Sequence, residues 1–521
     1  MTVSRRKFIQ AAAGGAGGLG LSQASEKIAG EDAVKRRQRT LYYNDARHYY
    51  LYVFEPPIKL KEARWPIDEL VGTTIDTFVY GVERGDGLFY PSKTGMLFGA
   101  DKRPFTQSPY WRAWENMQSL IARGLDPLQV LIDHAHEKEM DFFASVRMGS
   151  YGGMNPQFKI ESGGRAMAHQ EVRDHQFVIF EELSHQYNVE GVELDFAATP
   201  GGMAPYLRPE DAEEYTPVLT DYLRKISAMV RSRPGIPGKV GVRVYPTEAM
   251  CLRGGLDVRR WLQEGLVDFL VPMFYVDFTL DCQMPIDWLI EAAQGTDTAV
   301  YAMLQPFLSG EATGGDHTKY PSPAAMRAAA ANYLTRGVNG LYTWFMKWPL
   351  GDAERRMLSE LGDPELINGG DKHYILRTPS KKAVEMGYGS QLPVKISEAN
   401  PDRRYSIPFF VADDVEASSD RVRQVRLLLD VYNLVTADKL TIELNGKSLA
   451  KESCLRTYES AVRPFRGQRL EFHLKKVRPR KGDNVLTVSL GGRPAGFAGG
   501  VSINRFELFI EYGPYPSTLG V

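Results

Sequence analysis

Gly191-Val192-Glu193-Leu194-Asp195-Phe196 sets two carboxylates two residues apart among apolar neighbours. Side chains of a strand alternate faces, so Glu193 and Asp195 point one way and Val192, Leu194 and Phe196 the other. The apolar face buries that side of the strand. The opposite face then carries two acids, which is unfavourable unless each acid is paired, protonated or at work.

Outward from this hexapeptide, short apolar runs alternate with helical patterns between about residues 49 and 361, the signature of a βα repeat. The runs read as strands are Tyr49–Phe54, Thr74–Gly81, Met140–Met148, Gly191–Phe196, Lys239–Tyr245, Val267–Tyr275, Ala299–Leu304 and Gly340–Phe345. Asp126-Pro127 opens a helix, a second is expected from Arg165 to Tyr187, and a third from Pro209 to Val230. An α/β fold of the (β/α)8 barrel type fits this order better than a doubly wound sheet, and no Gly-x-Gly-x-x-Gly follows the first strand. After Gly362 the text changes to strand runs separated by turns, with Asn445-Gly446 as a hairpin signal. The expected organisation is a signal segment at 1–30, a charged lead-in at 31–44, the barrel at 45–365 and an all-β sandwich of the jelly-roll type at 371–521.

Composition excludes little else. Lysine plus arginine (63) balances aspartate plus glutamate (64), so no global field argues for nucleic acid or an anionic membrane. Ser4-Arg5-Arg6-Lys7-Phe8-Ile9 resembles a twin-arginine export signal, and the Ala/Gly-rich run Ala11–Leu21 is too short and glycine-rich for a lasting membrane span. The expected location is therefore periplasmic or extracellular, with the Tat translocase as a partner during export and a membrane tether only if the signal stays uncleaved. Cys251, Cys282 and Cys454 make neither a disulfide framework nor a Cys-x-x-Cys metal motif, although one Cys251–Cys282 bridge stays open. His134 and His136 are two apart and share no helical face, so no metal and no cofactor is expected.

Catalytic groups of such barrels sit at the C-terminal ends of the strands. The period-two rule puts Tyr80 on the second strand and Arg147 on the third into the expected mouth. Glu193 and Asp195 join them on the fourth, with Arg243 and Tyr245 on the fifth. Tyr275 and Asp277 share a face at the end of the sixth, Gln305 ends the seventh and the eighth offers Trp344. Acids, arginines and aromatics on one mouth suit a carbohydrate. Glycoside hydrolysis needs one carboxylic acid to protonate the leaving oxygen and usually a second carboxylate. Asp195 is expected as proton donor, tuned by the like charge of Glu193, with Asp277 or Glu248 as the second carboxylate. A buried ion-pair network of Glu193 and Asp195 with Arg243, filling the barrel interior, is the alternative for these acids.

Pro127-Leu128, with Ile132-Asp133-His134-Ala135-His136-Glu137-Lys138-Glu139-Met140, looks like the helix leading into the third strand of glycosidase-type barrels. Together with Gly191–Phe196 and Val271-Pro272-Met273-Phe274-Tyr275, it resembles the glycosyl-hydrolase-like barrels related to family 10 and, more distantly, the chitinase-type barrels of family 18. The resemblance spans residues 45–365 and implies glycosidic-bond cleavage with the acid at Asp195. Chitinase-type barrels carry a glutamate two residues beyond the last aspartate of this motif. Ala197 stands there, which argues against substrate-assisted N-acetyl chemistry. The C-terminal region is similar to galactose-binding jelly rolls. A non-catalytic carbohydrate-binding or surface-scaffold protein on the same fold is the rival reading. A metal-dependent hydrolase would need a His-x-His at the first strand, where Asp45-Ala46-Arg47-His48 offers one histidine.

Overall fold

The computed structural model describes residues 39–44, 49–84, 87–149, 156–158, 167–198, 206–276, 278–308, 320–344, 346–397, 403–458 and 466–513. Eight strands close into a parallel barrel: β1 Arg39–Asn44, β2 Thr77–Gly81, β3 Asp141–Arg147, β4 Gly191–Asp195, β5 Lys239–Val244, β6 Phe269–Pro272, β7 Ala299–Leu304 and β8 Gly340–Thr343. Each pairs with its sequence neighbours and β8 closes onto β1, as the βα alternation predicts.

One strand differs from expectation. Tyr49–Val53 is a short helix, and the first strand lies upstream at Arg39–Asn44, so the barrel begins before residue 45. Both runs are rich in tyrosine and leucine, and strand propensity depends on what the strand meets. Residues Arg39–Tyr42 find ladder partners on β8, whereas the 49–54 run packs on helix Ser108–Ile121. Asn116 on that helix donates to the Leu51 and Phe54 carbonyls at 3.0 and 2.8 Å, satisfying acceptors that a sheet would otherwise take.

Asp126 caps Pro127–Glu137 by accepting from Leu128 N at 2.8 Å, with Pro127 in the first turn. The helix expected from Arg165 spans Gln170–Gln186, and a single 3-10 turn at Pro209–Asp211 leads into Ala212–Arg231.

Register defines the barrel interior. Ser145, Glu193 and Gly241 lie side by side on β3, β4 and β5, and Arg147, Asp195 and Arg243 form the next inward row toward the C-terminal end. Glycine makes room for this filling. A Cβ on Gly241 would lie 2.0 Å from the Phe269 ring, and one on Gly191 would lie 2.1 Å from the Lys239 carbonyl oxygen. Phe269 therefore occupies interior space that a larger residue on β5 would claim.

Beyond the barrel two antiparallel sheets form. One runs Lys372–Leu376 (β9), Val501–Tyr512, Val422–Tyr432, Gly467–His473 and Ser453–Tyr458, with Val394–Ile396 also pairing to Val501–Tyr512. The other runs Tyr405–Val411, Gly482–Leu490, Leu440–Leu444 and Lys447–Ser448. The expected hairpin is present: Asn445 and Gly446 have φ of 51° and 77°, the left-handed pair of a tight two-residue turn.

Candidate functional site at the C-terminal end of the barrel

Glu193, Asp195 and Arg243 are all fully buried and joined. Arg243 Nη2 lies 2.8 Å from Glu193 Oε1, and Nη1 donates to Asp195 Oδ2 at 3.1 Å. One planar fork thus serves two carboxylates on the neighbouring strand through two separate nitrogens, a fixed geometry that the single ammonium of a lysine lacks. Glu193 Oε1 also accepts from Ser145 Oγ at 2.7 Å and Tyr342 OH at 3.2 Å. Its Oε2 is buried with no hydrogen-bond partner among the described residues. Burial raises the Glu193 carboxyl above the usual range, against the pull of Arg243 and with a push from Asp195.

Asp195 is held differently. Oδ1 accepts from the main-chain N–H groups of Ala197 and Ala198 at 3.1 and 2.8 Å, because the chain turns sharply as it leaves β4. Both oxygens of Asp195 are thus acceptors. That suits a fixed anion and does not suit the proton donor expected from the sequence.

Aromatic rings enclose the guanidinium. Its carbon lies 3.7 Å from the Tyr43 centroid, 4.7 Å from that of Trp344 and 5.1 Å from that of Tyr342. Cation–π attraction on desolvated rings adds to the two ion pairs. Trp344 is 1% exposed and packs on Tyr43 and Phe278 with centroids at 4.5 and 4.7 Å. The expected tryptophan is in the constellation, as a buried wall. Tyr275 is half-buried, with its ring 6.1 Å from Trp344, and Arg147 is half-buried beside Asp195 in register.

Other expected residues lie elsewhere. Tyr80 faces out of the barrel: it shares a face with Phe78, stacks on it at 6.1 Å, and its hydroxyl meets Tyr50 OH at 3.1 Å. The inward face of β2 is that of Thr77, Val79 and Gly81, the last in the row of Ser145 and Glu193. Both faces of β2 are buried, so the period-two rule carries no phase there and does not tell which side Tyr80 takes. Glu248 begins helix Glu248–Arg253 and is gripped by Arg259 through both oxygens, which lowers its carboxyl. Gln305 is buried and donates to the Phe274 carbonyl, and Tyr245 is buried with its own carbonyl accepting from Cys251 Sγ. Asp277 lies outside the described residues.

Sequence reasoning missed Tyr43, Tyr342 and Ser145. Tyr342 and Ser145 precede the expected Trp344 and Arg147 by two residues, so the same period-two rule reaches them. Tyr43 was hidden by the misplaced first strand. Cys251 and Cys282 are free buried thiols that bond to different carbonyls, so the bridge left open is not formed. His134 lies between Asp68 and Glu137, and His136 meets Glu190. Among the described residues no group of three or more His, Cys, Asp or Glu could hold a metal.

No protein-family model matches the chain, and no curated protein does. Solved structures do match. A cycloisomaltooligosaccharide glucanotransferase from Paenibacillus sp. aligns at 10% identity and TM-score 0.33, over 90% of this chain and 57% of its own. An α-L-fucosidase of Paenibacillus thiaminolyticus aligns at 15% and 0.40, over 63% of this chain and 48% of its own. An α-L-fucosidase of Vibrio sp. strain EJY3 aligns at 12% and 0.39, over 91% and 96%. This chain thus spans about half the length of the first two. Likeness at this level carries no conclusion about activity, and the narrower family 10 and family 18 resemblance finds no support in it.

Proposed function

We propose that the C-terminal end of the barrel binds a poly- or oligosaccharide and hydrolyses its glycosidic bonds. The observation that carries this reading is Asp195, a carboxylate fixed at the end of β4 by two main-chain N–H groups and an arginine. Such a fixed anion stabilises the positive charge that develops on a sugar ring, or acts on that ring as base or nucleophile. In this role Asp195 is the second carboxylate of the pair, and the proton donor is sought elsewhere, first at Asp277. Glu193 acts through Arg243 as a positioning residue. Arg147 and Tyr275, both half-buried, are the proposed sugar contacts, with Trp344 as the wall behind them. No cofactor enters this scheme.

A second reading has its own observation. With both oxygens of Asp195 engaged and the side chain buried, the network also suits a protein that binds glycan and does not cleave it. Affinity electrophoresis through a panel of polysaccharide gels, with product analysis on any glycan that retards the protein, separates the two. Hydrolysis predicts retardation and soluble oligosaccharide together. Retardation without product supports the binding protein, and neither outcome on any glycan removes both.

We also propose export by the twin-arginine route and a working location in the periplasm or outside the cell. The support is Ser4-Arg5-Arg6-Lys7-Phe8-Ile9 followed by Ala11–Leu21. Among the described residues no helix is long and apolar enough to cross a membrane.

A further inference from the structure

Strand β6 stops at Pro272, and the described residues that follow to Gln283 form no helix and only an isolated bridge at Thr279. Ordering a segment without regular structure costs backbone entropy, so something outside it must hold it. The barrel supplies part of the hold: Gln305 Nε2 donates to the Phe274 carbonyl, and the Phe278 ring packs edge-on to Trp344 at 4.7 Å.

The rest comes from the chain beyond the barrel. The Tyr388 ring lies 4.4 Å from that of Phe274, and its hydroxyl donates to Asp281 Oδ2 at 2.7 Å. Arg377 lies against both rings, with its guanidinium carbon 4.6 Å from the Tyr388 centroid and 5.6 Å from that of Phe274. Cys282 Sγ donates to the Ile375 carbonyl on β9 at 3.2 Å. Gln283 clasps the main chain of Phe410, giving Nε2 to its carbonyl and accepting its N–H on Oε1, both at 2.9 Å. Side-chain amides matched to a main-chain donor and acceptor fix one register, which a loosely tethered domain would not need.

We propose that the chain beyond the barrel, with its C-terminal sheets, is a brace for the candidate site, and that Tyr388 is a positioning residue that holds Phe274, Tyr275 and Phe278 against Trp344. The barrel and the sandwich then make one site together, and the sandwich is not a detachable binding module. The proposal rests on the glycan reading only in treating the Trp344 wall as part of a substrate site; the docking stands without it.

The test uses the full chain carrying Cys454→Ser, which leaves only the two buried thiols, Cys251 and Cys282. Thiol labelling under native conditions, with the labelled cysteine mapped by mass, is compared for Tyr388→Ala and Tyr388→Phe. Trp344 emission is read as the difference between each variant and its Trp344→Phe counterpart. Tyr388→Ala is expected to label Cys282 about tenfold faster or more through local opening, with Cys251 still protected and the Trp344 emission shifted to the red. Tyr388→Phe keeps the stack and restores both readouts. If Tyr388→Ala also exposes Cys251, the fold itself has failed, and Gln283→Ala carries the same comparison. Protection of Cys282 and an unchanged Trp344 emission in a folded Tyr388→Ala or Gln283→Ala protein overturn the brace. Failure to find any bound glycan would remove the functional reading and leave these two measurements to decide the docking.

Discussion

Arg243 reaches from β5 to Glu193 on β4 at 2.8 Å, and neither side chain is exposed to solvent. The same guanidinium holds Asp195, so one cation compensates two buried acids. Removing it leaves both carboxylates without their ion partner in a low-dielectric interior. Arg243→Met is expected to cost about 3–5 kcal/mol in urea unfolding, as for other broken buried pairs. Arg243→Lys keeps the charge, loses the fork, and is expected to fall between. Adding Glu193→Gln and Asp195→Asn to Arg243→Met should recover part of the loss, because the stranded charges go with the arginine. A wild-type urea midpoint in Arg243→Met would show that the network does not bear on stability.

Glu69, at the end of helix Leu60–Asp68, is 8% exposed, and burial pushes its carboxyl up to about 7 from the ordinary 4.5. The unfolded chain releases this proton at lower pH than the folded one. Folding stability is therefore unaffected by this group well below 4.5, falls as pH rises toward 7, and stays reduced above it. Glu69→Gln removes the titration and is expected to raise stability by roughly 2–3 kcal/mol at pH 8 and to change it little at pH 4. Equal effects at both pH values would contradict this.

Gly241 lies beside Glu193 in the inward row and faces the Phe269 ring. Gly241→Ala is expected to cost about 1–3 kcal/mol by overpacking. Phe269→Leu should relieve much of that cost in a double-mutant cycle. Additive effects of the two changes would mean that the ring does not fill the space the glycine leaves.

Export is tested by fusing residues 1–30 to a reporter that folds before translocation. Replacing Arg5 and Arg6 by lysine is expected to retain the reporter in the cytoplasm. Export that survives the change removes the twin-arginine assignment.

Much of this arrangement was legible in the chain. Where apolar and polar residues alternate strictly, as in Gly191–Phe196 and Val240–Val244, both the strand and its inward face follow from periodicity alone. Arg243 and its two acids could be set on one face in this way. The first barrel strand could not be read, because Arg39–Asn44 and Tyr49–Phe54 are similar in composition and only the ladder partners on β8 and β2 decide between them. That error hid Tyr43, the ring under the guanidinium. Tyr80 went astray for a related reason: β2 is apolar on both faces, so its pattern carries no phase. The engagement of both Asp195 oxygens depends on how the main chain turns at Ala197 and Ala198, which side-chain periodicity does not encode.

If Asp195 acts on a glycosidic bond as a fixed anion, as proposed, its amide variant should bind glycan and fail to cleave it. Oligosaccharide release from a retarding polysaccharide by the wild type and by Asp195→Asn, both shown to be folded by thermal unfolding, decides this. Release is expected to fall by a factor of about a thousand or more, as for removal of a group that stabilises transition-state charge, with glycan retardation preserved. Release by Asp195→Asn at the wild-type rate would contradict it.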